Sequence, residues 1–372
     1  MKRTILLFAC AVLLGISCGN ESKDNEIKDV EISYKLEPVL ERSGVLWGMD
    51  FLPDGSLLVT DKEGELIHLK NDTQTVIQNL PDIYQMGQGG LLDIKVHPAY
   101  QNNGWIYLTY ASSQGEGSGG NTALMRAKIV NNRLENKELL YKAIPNSQAG
   151  QHFGSRIEFD RNGYLYFTIG DRGNRDVNPQ DITRDGGKVY RLHDDGRIPS
   201  DNPFVDETGA KKAVFSFGHR NPQGMTLHPE TGELWTHEHG PRGGDEINII
   251  KKGKNYGWPV VTYGINYNGT PITDNTSLPG MEDPIHYWTP SIAPSGMAFV
   301  SGTAYPEWSG DLLVGSLSFQ YLEHLELENK KVINRERLFD GIGRVRNVKS
   351  GPNGIIYVSI ENKGIFKLVP EN

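Results

Sequence analysis

Residues 47–69 read WGMDFLPDGSLLVTDKEGELIHL. Leu57, Leu58 and Val59 follow an Asp-Gly step, and Leu66 and His68 follow a Glu-Gly step. Alternating apolar runs split by such dipeptides are the strongest short-range hairpin signal. The unit returns as LLDIKVHPAYQNNGWIYLTYA from 91, GSRIEFDRNGYLYFTIGD from 154 and GMTLHPETGELWTHEHG from 224. It returns again as GMAFVSGTAYPEWSGDLLVGSL from 296 and RNVKSGPNGIIYVSIENKGIFKLV from 346. Six copies recur at roughly 40 to 70 residues, a spacing of propeller blades or solenoid turns. The strand density suits blades of four antiparallel strands. No long run keeps a 3.6-residue period, so helix is minor. The expected fold is all-β: a single six-bladed β-propeller over 40–370, with large insertions at 112–122, 171–213 and 240–290.

The chain has 372 residues, 37% of them hydrophobic and 23% charged, with 43 Gly and 20 Pro scattered as punctuation. Its net charge of −8 lacks the basic face that nucleic acid requires. The segment MKR-TILLFACAVLLGI pairs a basic start with an apolar run too short to span a bilayer. It leads into SCGNESKDNE, which resembles a bacterial lipoprotein cleavage site. The expectation is a signal peptide over 1–18, a lipid on Cys18, a flexible tether over 19–39 and an exported cell-envelope protein. An ordinary secretory cut near Ser17 is the alternative. Removing Lys2 and Arg3 takes the charge from −8 to −10. Cys10 leaves with the same segment, so the mature chain has no disulfide and no cysteine metal site.

Several polar residues stand at strand entries. His152, in QAGQHFGSR, is a general base if it lines a pocket and a structural histidine if it does not. Gln88 lies in MGQGGLL, where glycines allow close backbone approach or merely a tight turn. Arg220 and Asn221 belong to GHRNPQG (218–224), which is more polar than a turn needs. Its His219 and Gln223 are expected to satisfy backbone groups. Asp245, Glu246 and the carbonyls near Gly240 and Pro241 offer oxygen to calcium, or form an ordinary acidic loop. Arg344 and Arg346 alternate onto one face, suiting an anion or nearby carboxylates.

Together GQGGLLDIKVHP, HFGSRIEFDRNGYLYFTIGDRG, GHRNPQGM, EHGPRGGDEINIIKKGKNYGWP and GRVRNVKSGPNGIIYV occur in this order. They resemble the soluble pyrroloquinoline-quinone (PQQ)-dependent sugar dehydrogenases, the glucose/sorbosone dehydrogenase family, and its aldose sugar dehydrogenase branch most. The resemblance implies a six-bladed propeller that oxidises an aldose at C1 to a lactone with PQQ and Ca²⁺. It implies His152 as base, Arg220 at the quinone oxygen, and Gln88, Asn221 and Tyr267 as cofactor contacts. Arg344 and Arg346 match residues that hold PQQ carboxylates. Gly240 and Pro241 match carbonyl ligands of the PQQ calcium, and Glu246 and Tyr256 match ligands of a second calcium. Two positions depart from the pattern. Ser318 stands where the family has Lys, and Gln151 where some members have an Asp beside the base.

The alternatives are a propeller lactonase using a metal-activated water and a non-catalytic surface module. The expected partners are a sugar, an electron acceptor and, through Cys18 alone, a membrane. A monomer and a homodimer are both compatible with the sequence.

Overall fold

The computed structural model describes residues 28–29 and 33–371. The signal peptide, Cys18 and most of the expected tether lie outside the described residues. Among those described, no helix is long and apolar enough to cross a membrane.

Six antiparallel sheets form the expected propeller. The first blade shows how local sequence builds each one. Its strands are Leu46–Phe51, Leu57–Asp61, Glu65–Lys70 and Thr73–Ile77. Asp54 accepts the Ser56 amide at 3.1 Å, and Gly55 takes φ 81°, closing the first turn. The outer hairpin turns on Asn71 (φ 49°) and Asp72 (φ 59°), the paired left-handed residues of a type I′ turn. Leu58, Val59, Leu66 and Ile67 are fully buried on both faces of the sheet. Each contributes about 1.5–3 kcal/mol of burial relative to exposure.

Blades two to five follow in chain order over 91–142, 157–217, 222–288 and 294–338. The fifth also carries the two-residue strand Lys28–Asp29, parallel to its outer edge. The sixth blade takes three strands from 345–370, and its fourth is the N-terminal strand Tyr34–Glu41. That strand pairs antiparallel with Gly364–Pro370 and closes the ring. The expected tether over 19–39 thus includes the start of a blade strand, Tyr34–Glu41. Two expected insertions also contain blade strands. Lys188–Leu192 lies inside 171–213, and Asp245–Ile249 and His286–Trp288 lie inside 240–290.

The innermost strands surround the axis. Met49, Ile94, Ile157, Met225, Met297 and Val348, one per blade, line an axial cavity of about 370 Å³. Arg156 sits beside this cavity, buried, over the Trp47 ring at 4.0 Å. Its guanidinium donates to the carbonyls of Gln223, Trp47 and Arg346 and to Asp93 Oδ1 at 3.2 Å. Ser295 Oγ also donates to the Arg346 carbonyl, at 2.7 Å. All six blades thus meet around one guanidinium. The sequence candidates cluster at the other end of these strands, at their N-terminal entries.

Candidate active site

A separate cleft of about 390 Å³ opens at those entries, and its lining includes Gln88, His152, Asp171, Arg220, Pro241 and Tyr267. His152 holds a left-handed backbone (φ 58°), a conformation that costs roughly 1–3 kcal/mol for a non-glycine residue. Its N–H donates to Gln88 Oε1 at 2.8 Å. Its Nδ1 donates to Asp171 Oδ1 at 2.6 Å. Asp171 is in turn fixed by the Gly173 amide at 2.7 Å and the Trp258 indole N–H at 2.9 Å. With Nδ1–H committed, Nε2 keeps the lone pair that a general base needs. Burial pulls the imidazole below its usual pKa, and the Arg220 and Arg172 charges add to this, while Asp171 opposes it. Burial alone would raise the Asp171 carboxyl, but the hydrogen bond from His152 and the nearby cations hold it low. The pair is therefore a neutral histidine oriented by an ionised aspartate.

Asp171 was missed in the sequence. The oriented carboxylate was sought at the adjacent position, where Gln151 stands, whereas the fold supplies it from TIGDRG beyond the hairpin of Ile157–Phe159 and Leu165–Ile169. Trp258, Arg175 and Asn266 also line the cleft without a sequence signal of their own. Arg175 Nη1 donates to Asn266 Oδ1 at 2.7 Å, joining two loops across the mouth.

The GHRNPQG stretch links the last strand of the third blade, Val214–Phe217, to the first of the fourth, Pro222–Leu227. Gly218 takes φ 78°, and a Cβ there would stand 2.1 Å from Asn255 Oδ1, so glycine is required. Buried Glu238 organises the turn by accepting the Arg220 amide and His219 Nδ1. His219 Nε2 meets Ser216 Oγ at 2.9 Å, so this histidine bridges side chains rather than satisfying backbone. Gln223 differs from expectation in the same way, its Oε1 accepting from Arg346 at 3.2 Å.

Arg220 is buried, and its guanidinium donates to the carbonyls of His239 and Gly240 at 3.0 and 2.9 Å. It lies 3.5 Å from the hydroxyl of Tyr267, a residue 73% exposed at the cleft lip. Among the described residues no carboxylate forms an ion pair with it. Its Nε and the Asn221 Nδ2 are buried without partners, while Asn221 Oδ1 accepts the Gly154 amide at 3.1 Å. A buried cation and an amide, both with unmet donors, are costly unless something electronegative fills the space.

Beneath Arg220 lies a void of about 10 Å³, lined by Glu238, Gly240, Glu246, Tyr256 and Thr262 among others. Glu246 makes no ion pair among the described residues. Burial pushes its carboxyl well up, and neighbouring Glu238 and Asp245 push it further. Asn248 Oδ1 nearby is buried without a partner. The Tyr256 hydroxyl is committed to the Ile249 carbonyl and the Lys251 amide. No cluster of three or more His, Cys, Asp or Glu stands here among the described residues. A cation in this void would rely on Glu246 and backbone oxygens, a donor set that suits calcium.

Arg344 and Arg346 do not line the cleft. Both bond Glu361, Arg344 Nε at 2.6 Å and Arg346 Nε at 2.9 Å. Two guanidiniums against one carboxylate leave one positive charge. Arg344 Nη1 also reaches the Leu317 carbonyl at 3.0 Å, the residue before Ser318.

The family model described as Glucose / Sorbosone dehydrogenase matches residues 43–367. The aldose sugar dehydrogenase YliI of Escherichia coli is 39% identical over 336 residues, covering 88% of this chain and 90% of its own. The crystal structure of soluble aldose sugar dehydrogenase from Escherichia coli in the apo-form superposes with a TM-score of 0.87 at 36% identity. It covers 91% of this chain and 99% of its own. The PQQ-bound form of aldose sugar dehydrogenase from Streptomyces coelicolor gives 0.73 at 25% identity, covering 90% and 98%. Fold, motif order and relatives converge, and the chain belongs to the glucose/sorbosone dehydrogenase family.

Proposed function

We propose that this protein is a quinoprotein sugar dehydrogenase that oxidises an aldose at C1 to the lactone, with PQQ as cofactor and calcium as a bound ion. The observation that carries the reading is buried Arg220. It has no carboxylate partner and stands beside the orphaned Asn221 amide, in the cleft that His152 lines. Those donors fit a quinone with carboxylates. Gln88, Arg220, Asn221 and Tyr267 would hold the cofactor, with the net charge of Arg344 and Arg346 at its outer edge. Gly240 and Pro241 would offer carbonyls to a calcium on the cofactor side, and Glu246 and Tyr256 would hold the second calcium in the void below. Bound PQQ supplies the hydride acceptor that no amino acid provides.

This chain's own residues do the rest. His152 Nε2 takes the proton of the anomeric hydroxyl as the C1–H hydride leaves and the C1=O bond forms. Asp171 keeps the imidazole oriented and stabilises the imidazolium that results. Arg220 supplies a fixed positive charge that would stabilise negative charge on a bound quinone. A propeller hydrolase would need several carboxylates converging on an axial metal. No such cluster exists among the described residues, and family membership favours the dehydrogenase over a surface module.

Titrating the purified protein with PQQ and calcium tests the reading. The expected result is a saturable change in the PQQ spectrum and aldose-dependent reduction of an artificial acceptor. An unchanged spectrum at millimolar calcium sinks the proposal. Export with a lipid on Cys18 is proposed alongside, and a native mature N-terminus starting elsewhere overturns it.

A further inference from the structure

Asp171 holds the imidazole of His152, and the next residue holds the chain around it. Arg172 is buried and left-handed (φ 56°), so consecutive side chains of one loop reach two parts of one target. Its Nη1 donates to the Gln151 carbonyl, immediately before His152. Its Nη2 donates to the carbonyls of Ala149 and Gly120 at 2.7 and 3.2 Å. The guanidinium lies 3.5 Å from the ring centre of Phe153, immediately after His152. It thus grips both chain neighbours of the candidate base. Arg172 forms no ion pair among the described residues, its Nε is orphaned, and burial pulls its pKa down to about 10. A cation placed at that cost for loop packing alone is a poor design, since a neutral side chain would fill the space without desolvating a charge. Carbonyls from Gly120 and the 149–151 segment converge on a planar fork, which a single-point donor cannot match.

We infer that Arg172 is a positioning residue for the base, clamping the left-handed backbone of His152 so that its Nδ1–H meets Asp171 and its Nε2 faces the cleft. The inference rests on the reading of His152 as the base. The geometric part stands apart from that reading and can be tested without cofactor.

The test compares Arg172→Met, Arg172→Lys and Leu66→Ala. Leu66 is fully buried in the first blade and serves as a destabilised control remote from the cleft. In the cofactor-free protein, NMR reads the low-field proton of His152 Nδ1–H on Asp171. The expected result is loss of that signal in Arg172→Met, attenuation in Arg172→Lys and retention in Leu66→Ala. With PQQ and calcium added, kcat falls about 10- to 100-fold in Arg172→Met while the PQQ dissociation constant stays within twofold. If Arg172→Met does not fold, Arg172→Lys carries the comparison. An intact signal in the folded Arg172 variants overturns the clamp, and so does equal loss in Leu66→Ala. Loss of the signal with unchanged kcat upholds the clamp and overturns His152 as the base.

Discussion

His152 combines a left-handed backbone, a committed Nδ1–H and a pKa held below its usual 6.5 by burial. A base acts in its neutral form. Activity therefore falls as pH drops through the depressed value, and the acid limb of kcat/KM lies below pH 6.5. A pH–rate profile with that limb at or above 7 rejects the assignment. His152→Ala lowers kcat by about 10²- to 10⁴-fold while the thermal midpoint barely moves. For the void under Arg220, Glu246→Gln removes a carboxylate that has no ion pair among the described residues and accepts only a long hydrogen bond from Asn248 Nδ2, at 3.4 Å. Calcium then no longer raises the melting temperature, which scanning calorimetry with and without a chelator measures. The chemistry-bearing residues in strand entries were legible because motif order marks them. Asp171 was not, because a hydrogen bond that closes only after a two-stranded hairpin intervenes leaves no mark on adjacent positions. For Arg344 and Arg346 the sequence left an anion site and nearby carboxylates both open, and the structure shows both bonded to Glu361, since alternation reveals which face a residue takes and not what opposes it.

The loop from Asp171 to Gly187 is the element that carries the oriented carboxylate, and a single lysine organises it. Lys188 is fully buried and donates to the carbonyls of Asn178, Pro179 and Gly186. Asn178 Nδ2 passes the constraint on by donating to the Asp171 carbonyl at 3.0 Å. Lys188→Met removes the donor of the Gly186 carbonyl, while Pro179 keeps the Gly218 amide and Asn178 the Asp181 amide, and costs about 1–3 kcal/mol, the cost of one buried orphan. A urea midpoint that falls at constant m-value confirms this, and an unchanged midpoint refutes it. Asp-Gly and Asn-Gly turns made the hairpins of each blade readable. The outer turns at Asn71-Asp72, Asn131-Asn132 and Asn329-Lys330 do the same work without glycine, so sequence punctuation missed them. The strand Lys188–Leu192 was read as insertion because polar loops on both sides drown five buried residues.

Across the whole molecule the blade count was legible from repetition, but the ring closure was not. YKLEPVLE looks like the end of a tether, and its partner strand lies at the opposite end of the chain. Deleting residues 1–42 bares the edge strand Gly364–Pro370, and such an edge recruits another chain. The truncated protein should elute as dimers and larger species in size-exclusion chromatography, whereas a variant starting at residue 33 stays at the size of the full-length chain. At the axis, the cleft and the lower cavity share no lining residue, and Arg156 joins the inner strands between them. The cleft lined by His152 and Arg220 is thus distinct from the axial cavity. On the function proposed above, a sugar and an electron acceptor that both use this cleft take turns in it, the lactone leaving before the acceptor enters. Steady-state plots at several fixed acceptor concentrations should then run parallel, the signature of a ping-pong order, and intersecting lines would mean a second way in.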